Sequence, residues 1–312
     1  MEQEPVEGAE PRGSAGRVAR VLFGLLLIGG LAGLGSSWWM AGRLSAPAPS
    51  SIVAPPAGLE VEAFTATDAR GRSVRGWCVA AEGVGAEAPR GVVILLHGIR
   101  GNRTAMVRRA RFLALAGYAS VLVDLHAHGE SDGDRITLGD QERYSVAAAV
   151  EHARGLHPSL PVAVIGVSLG GAAAVLGSPL GVQAMVLESV YPDIESAIEH
   201  RVGARLGRLG ALPAWLLLAQ IEPRLGVEPS ALRPVDRVSA VGCPVLIASG
   251  TEDPHTPPEE AERLFQAAVG SKSLWLVEGA AHVDLHAAAP AEYERRILAF
   301  FQEAMRGTGD DR

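Results

Sequence analysis

The sequence predicts an α/β fold. It comprises a mostly parallel eight-stranded sheet with helices on both faces, a small helical cap insertion, and one transmembrane helix ahead of the sheet. Three observations predict it. From residue 59 onward, strand-like and helix-like patterns alternate along the chain. Some strand-like runs, such as 91–96, are unbroken apolar sequence, which marks strands buried on both faces. Residues 21–42 carry no charge, include Trp38-Trp39, and are flanked by Arg17, Arg20 and Arg43.

The elements follow in chain order. Residues 1–20 read as a cytoplasmic tail and 21–42 as the transmembrane helix. Arg12, Arg17 and Arg20 precede the span and only Arg43 follows closely. The positive-inside rule then keeps the N-terminus cytoplasmic and sends the main domain outside. A cleaved signal peptide is the alternative. The one Ala-x-Ala site, Ala46-Pro47-Ala48, is followed by Pro49, which disfavours cleavage. Residues 43–58 are rich in Pro, Ala and Ser and read as a stiff, extended tether.

The main domain spans 59–306, and 307–312 form a disordered tail. Runs 59–65 and 74–80 make an N-terminal hairpin around the turn 68–72. Further strands are expected at 91–96, 120–125, 162–167, 184–190, 245–249 and 273–277. Helices are expected at 105–115, 141–154, 258–268 and 291–305. Residues 191–234 exceed one crossover helix and hold the apolar run 212–218, interrupted by Pro213. They read either as a core helix with extra loops or, because of their position, as a cap over a site.

Composition excludes several function classes. Lys and Arg total 28 against 35 Asp and Glu, a net charge of −7, so nucleic acid is not an expected partner. Cys78 and Cys243 are the only cysteines, which excludes a disulfide scaffold and a cysteine-based metal site. They read as inert buried thiols on distant strands. No helical His-x-x-x-His or carboxylate cluster points to a metal, and no cofactor is expected. The sequence leaves the oligomeric state unspecified.

The most informative stretch is Gly166-Val167-Ser168-Leu169-Gly170, set between an apolar run and an alanine-rich helix pattern. Gly-x-Ser-x-Gly in a strand–turn–helix context makes a tight turn that lifts the serine clear of the sheet. Glycine fits two residues on either side because larger side chains would collide there. Acyl transfer by serine needs a base and an orienting carboxylate. His282, in Gly279-Ala280-Ala281-His282 past the last strand, is the leading base, with His286 as runner-up. Asp253, in Gly250-Thr251-Glu252-Asp253-Pro254 at a strand end, is the leading acid. Glu252 and Asp193 are second choices. His255 lies too close in sequence to Asp253 for a productive arrangement. His97, Gly98 and His126 are candidates for lining the substrate pocket, although His97 at a strand end also suits a structural hydrogen bond.

The order Ser168, Asp253, His282 resembles that of the α/β-hydrolase serine hydrolases, over about residues 59–306. Leu96-His97-Gly98-Ile99 resembles that family's His-Gly-x oxyanion loop. Residues 124–133 resemble its D-x-R-G-H-G-x-S-x-G segment, with His126 and Ala127 where Arg and Gly are usual. Gly279–His282 resembles its G-x-x-H segment. The resemblance implies oxyanion donors from the backbone N–H groups of Leu169 and Ile99, and a bacterial, membrane-anchored esterase, thioesterase or lipase-like member. The expected substrate is a small-molecule or lipid-like acyl ester. The alternatives are a serine peptidase or amidase on the same fold, and a catalytically inactive membrane-tethered binding protein.

Overall fold

The computed structural model describes residues 14–52, 54–83, 88–282 and 284–305. The tail expected at 307–312 and most of that at 1–20 lie outside these residues. The first element is α1 (Ser14–Ser45), longer at both ends than the charge-free run within it. Its stretch Gly16–Ser45 is long and apolar enough to cross a membrane.

The segment after α1 is extended, and its start is bonded to the domain. Its strand β1 (Ala48–Pro49) pairs in parallel with β6 (His128–Gly129). The Asn102 side chain donates to Ser50 Oγ at 2.9 Å, and the Ile52 N–H donates to the Glu130 carboxylate at 3.2 Å. A two-residue bridge has no hydrophobic period, so nothing local in the sequence announces it.

The main sheet has eight strands, as predicted. They are β2 (Val61–Thr67), β3 (Ser73–Val79), β4 (Val92–Leu96), β5 (Ala119–Val123), β7 (Val162–Val167), β8 (Ala184–Glu188), β9 (Val245–Gly250) and β10 (Lys272–Val277). Their spatial order is β10-β9-β8-β7-β4-β5-β3-β2. The pairs β2–β3 and β3–β5 are antiparallel and the rest are parallel. The β2–β3 turn is held by Asp68, whose Oδ1 accepts the N–H groups of Arg70 and Arg72 at 2.8 and 3.0 Å.

Successive side chains of a strand point to opposite faces, so the apolar runs supply two cores. Val92, Ile94, Leu96, Val164 and Leu187 pack on one face, under α3 (Glu142–Leu156) and α4 (Leu169–Leu176). Val93, Leu95, Ile165 and Val186 pack on the other, under α2 (Val107–Leu115) and α11 (Pro290–Met305).

Residues 191–234 form α5 (Ile194–Leu206), α6 (Ala211–Leu218) and α7 (Ile221–Leu225) before α8 (Pro234–Arg237) resumes the fold. Pro213 does not interrupt the apolar run. It sits in the first turn of α6, where a missing N–H costs no helical bond. Leu212 and Trp215 face outward rather than into the core. The α9 (Pro258–Ala267) and α10 (Leu285–Ala288) helices flank β10. Cys78 and Cys243 form no bridge, and burial pushes both thiols up to about 12.

Candidate active site

In a parallel α/β sheet the ligand crevice lies beyond the C-terminal ends of the strands, where the strand order reverses. Here the order reverses at β4, which lies between β5 and β7. The strand ends on one side of this point carry Ser168 after β7, Asp253 after β9 and His282 after β10.

Ser168 links β7 directly to α4, with φ 48° and ψ −112°. A non-glycine residue at positive φ is strained by roughly 1–3 kcal/mol and persists only where its surroundings enforce it. Its N–H donates to the Glu188 carbonyl at 2.7 Å, which pins the turn to β8. The flanking glycines are sterically required. A Cβ on Gly166 would stand 2.5 Å from Gly171 Cα, and one on Gly170 would stand 2.7 Å from the His97 carbonyl oxygen.

Asp253 and His282 meet, with His282 Nδ1 2.8 Å from Asp253 Oδ2. The other oxygen, Oδ1, accepts the N–H groups of His255 and Thr256 at 2.8 and 2.9 Å. Burial opposes ionisation of Asp253, but the hydrogen bonds from His282, Thr256 and His255 outweigh it and hold its carboxyl below the usual range. Ser168 Oγ is buried, and neither His282 nor any other described residue hydrogen-bonds to it.

The competing residues are engaged elsewhere. His286 is buried, with Nε2 2.9 Å from a Glu294 carboxylate oxygen and its ring stacked on Tyr293. Asp193 caps α5 by accepting the Ser196 N–H at 2.8 Å and pairs with Arg263 at 2.7 Å. Glu252 is exposed. His255 lies edge-on to His282, ring centroids 5.2 Å apart, and burial together with the positive charge of Arg201 lowers the pKa of its imidazole.

Ser168, Leu169 and Ile99 line a cavity of about 140 Å³. Neither the Leu169 nor the Ile99 N–H has an intramolecular acceptor among the described residues. The two groups are thus free to receive an oxyanion. Much of the remaining wall is apolar and comes from the inserted helices, including Ala197, Ile198, Leu217 and Ile221. Arg201 and Arg224 are the charged residues in the described lining.

The three expected pocket residues, His97, Gly98 and His126, are absent from this lining. His97 is fully buried beneath it. Its Nδ1 lies 2.8 Å from the Gly98 carbonyl oxygen and its Nε2 accepts the Leu125 N–H at 3.1 Å, a structural role. Burial and the neighbouring His128 depress its pKa to about 3. His126 faces a separate surface hollow with Arg72 and Asp134. A Cβ on Gly98 would touch Ser168 Cβ at 3.7 Å, so this residue flanks the serine.

Sequence reasoning missed Ala41, Leu44 and Ser45, from the last turns of α1, which line the same cavity. It also missed Tyr191 and Arg201. No local pattern marks these residues, because each reaches the cavity only through tertiary packing.

Residues 87–223 match the family model described as serine aminopeptidase, S33. The chain is similar to the uncharacterized protein YqkD of Bacillus subtilis, with 22% identity over 252 residues, covering 78% of this chain and 79% of that protein. A stretch of 85 residues is 35% identical to the monoacylglycerol lipase of Mycolicibacterium smegmatis, covering 27% of this chain and 30% of that protein. Among solved structures, the fold is similar to the esterase Pf2001 of Pyrococcus furiosus. The TM-score is 0.68 at 22% identity, covering 84% of this chain and 98% of that one.

Proposed function

We propose that this chain, which has the α/β-hydrolase fold, is a membrane-anchored serine hydrolase cleaving carboxylic esters of apolar acyl groups. One observation carries this reading. The strained Ser168 turn opens into a mainly apolar cavity while Asp253 and His282 are already paired at the neighbouring strand ends.

In the proposed reaction His282 Nε2 takes the proton of Ser168 as Oγ attacks the carbonyl carbon. Asp253 holds the Nδ1–H and balances the charge of the imidazolium. The N–H groups of Leu169 and Ile99 receive the oxyanion. Collapse breaks the ester C–O bond, and the departing alkoxide takes the proton from His282. Water then attacks the acyl-enzyme, giving its proton to His282, and the second collapse frees the acid and returns the proton to Ser168.

The match to an aminopeptidase model raises a second reading. An aminopeptidase binds a cationic amino terminus, which calls for an acidic anchor. The described lining has two arginines and no carboxylate, which supports ester over peptide. In this reading α1 is an uncleaved anchor, with the N-terminus cytoplasmic and the hydrolase domain on the other side.

A fluorophosphonate probe tests the nucleophile. Wild-type protein becomes labelled, and Ser168→Ala loses both the label and at least about 10⁴-fold of its esterase turnover. Folded wild-type protein that takes no label overturns the enzyme reading. Faster turnover of aminoacyl arylamides than of esters overturns the ester assignment.

A further inference from the structure

We propose that the outer edge of the cap, formed by Arg205, Arg208, Leu209, Leu212 and Trp215, docks into the interface of a lipid bilayer carrying anionic headgroups. This inference rests on α1 being a membrane anchor, as read above.

The argument starts from helix length. A helix rises 1.5 Å per residue, so a hydrocarbon core of about 30 Å takes about 20 residues. Counted from Val21, just past Arg20, such a span reaches about Met40. Yet the cap is bonded to α1 before that point. Gln220 Nε2 donates to Ser37 Oγ at 2.8 Å. The Arg224 guanidinium donates to the Trp38 carbonyl and lies over the Trp38 ring, 3.7 Å from its centroid. The cap helices therefore stand level with the last turn of the span, where Trp38 and Trp39 suit the membrane interface.

The surface that the cap presents at this level fits that place. Leu209, Leu212 and Trp215 are 83%, 65% and 62% exposed. Residues 200–221 contain Arg201, Arg205 and Arg208 but no Asp or Glu, and Arg205 and Arg208 are exposed. Leu and Trp beside exposed Arg form an interfacial surface that also attracts anionic lipid. The cavity follows directly. Ala41, Leu44 and Ser45 are on the next turns of α1, and Leu217 and Ile221 are on the cap helices bonded to it. The elements that meet the bilayer thus also wall the space above Ser168, so an acyl chain is drawn from the membrane rather than from water.

Spin labels test the docking separately from the anchor. Cysteines replace Leu27 or Leu212 in a Cys78→Ser, Cys243→Ser background, and the full chain is reconstituted in phosphatidylcholine vesicles with or without phosphatidylglycerol. Accessibility to oxygen against a water-soluble nickel complex then reports depth. Expected is a label deep in the acyl region at position 27 and one at the headgroup level at 212, deeper with phosphatidylglycerol. A deep label at 27 with a water-exposed label at 212 overturns the docking and leaves the anchor standing. A water-exposed label at 27 overturns both. In activity, Leu209→Asp with Trp215→Asp lowers turnover of a vesicle-embedded long-chain ester by about tenfold and keeps that of a soluble short-chain ester within about twofold. Equal loss on both substrates overturns the proposal, and Leu209→Asp alone repeats the test if the double variant misfolds.

Discussion

Asp253 concentrates the chemistry of the site in one side chain. Its two oxygens divide between His282 and the N–H groups of the loop that carries Asp253 itself, so the carboxylate orients the imidazole and braces its own turn. Asp253→Asn keeps the shape but disfavours the Nδ1–H tautomer, and esterase turnover falls by about 10⁴-fold. His255→Ala, which removes only the neighbouring ring, keeps turnover within about tenfold. A comparable loss there would make His255 the base. The lowered carboxyl of Asp253 also gives a pH signature. Its folded pKa lies below the unfolded value, so the stability from its ionised contacts is present above the ordinary carboxylate range and is lost as pH falls through the lowered value. Urea unfolding should therefore show the gap between wild type and Asp253→Asn widest near neutrality and narrowing in acid. Ser168, Asp253 and His282 were all legible in the sequence because each follows a strand-like run. A histidine before a glycine at a strand end also favoured the structural hydrogen bonds that His97 makes, over its place among the pocket candidates.

At the scale of the element, the β7–Ser168–α4 turn shows how strictly packing dictates sequence. Ala at 166 would push into Gly171, a contact between backbones with no flexible side chain to yield. Gly166→Ala should cost at least about 2 kcal/mol in urea unfolding and reduce fluorophosphonate labelling even in the folded fraction. Unchanged stability would mean that the turn is looser than its geometry indicates. The long strands were readable to within two or three residues because the central ones are apolar runs and β2 alternates apolar with polar residues. The β1–β6 bridge was not, and it fastens the start of the stiff, extended Pro/Ala-rich stretch to the domain.

At the scale of the molecule, one buried network joins distant parts of the chain. Arg109 on α2 pairs with Glu188 at the end of β8 at 2.5 Å and with Asp284 at 2.8 Å, close to His282 in sequence. Tyr293 on α11 donates to Glu188 at 2.5 Å. Burial disfavours the Arg109 charge, but Glu188 and its neighbours outweigh that and raise its pKa. Arg109→Leu removes the cationic partner of the buried Glu188 carboxyl, at a cost of about 3–5 kcal/mol. Adding Glu188→Leu should recover much of that loss, and failure to recover would show that the arginine acts through packing alone.

By itself the sequence determined the α/β class and the strand positions, and it singled out Ser168, Asp253 and His282 as candidates. Those follow from local apolar runs and from the steric demands of a tight turn, both of which act between near neighbours in the chain. Only the tertiary structure decided that His286 is buried away from Ser168, that His126 faces another hollow, and that the end of α1 walls the cavity. Such facts depend on contacts between residues far apart in sequence, and no local period encodes which distant surfaces meet.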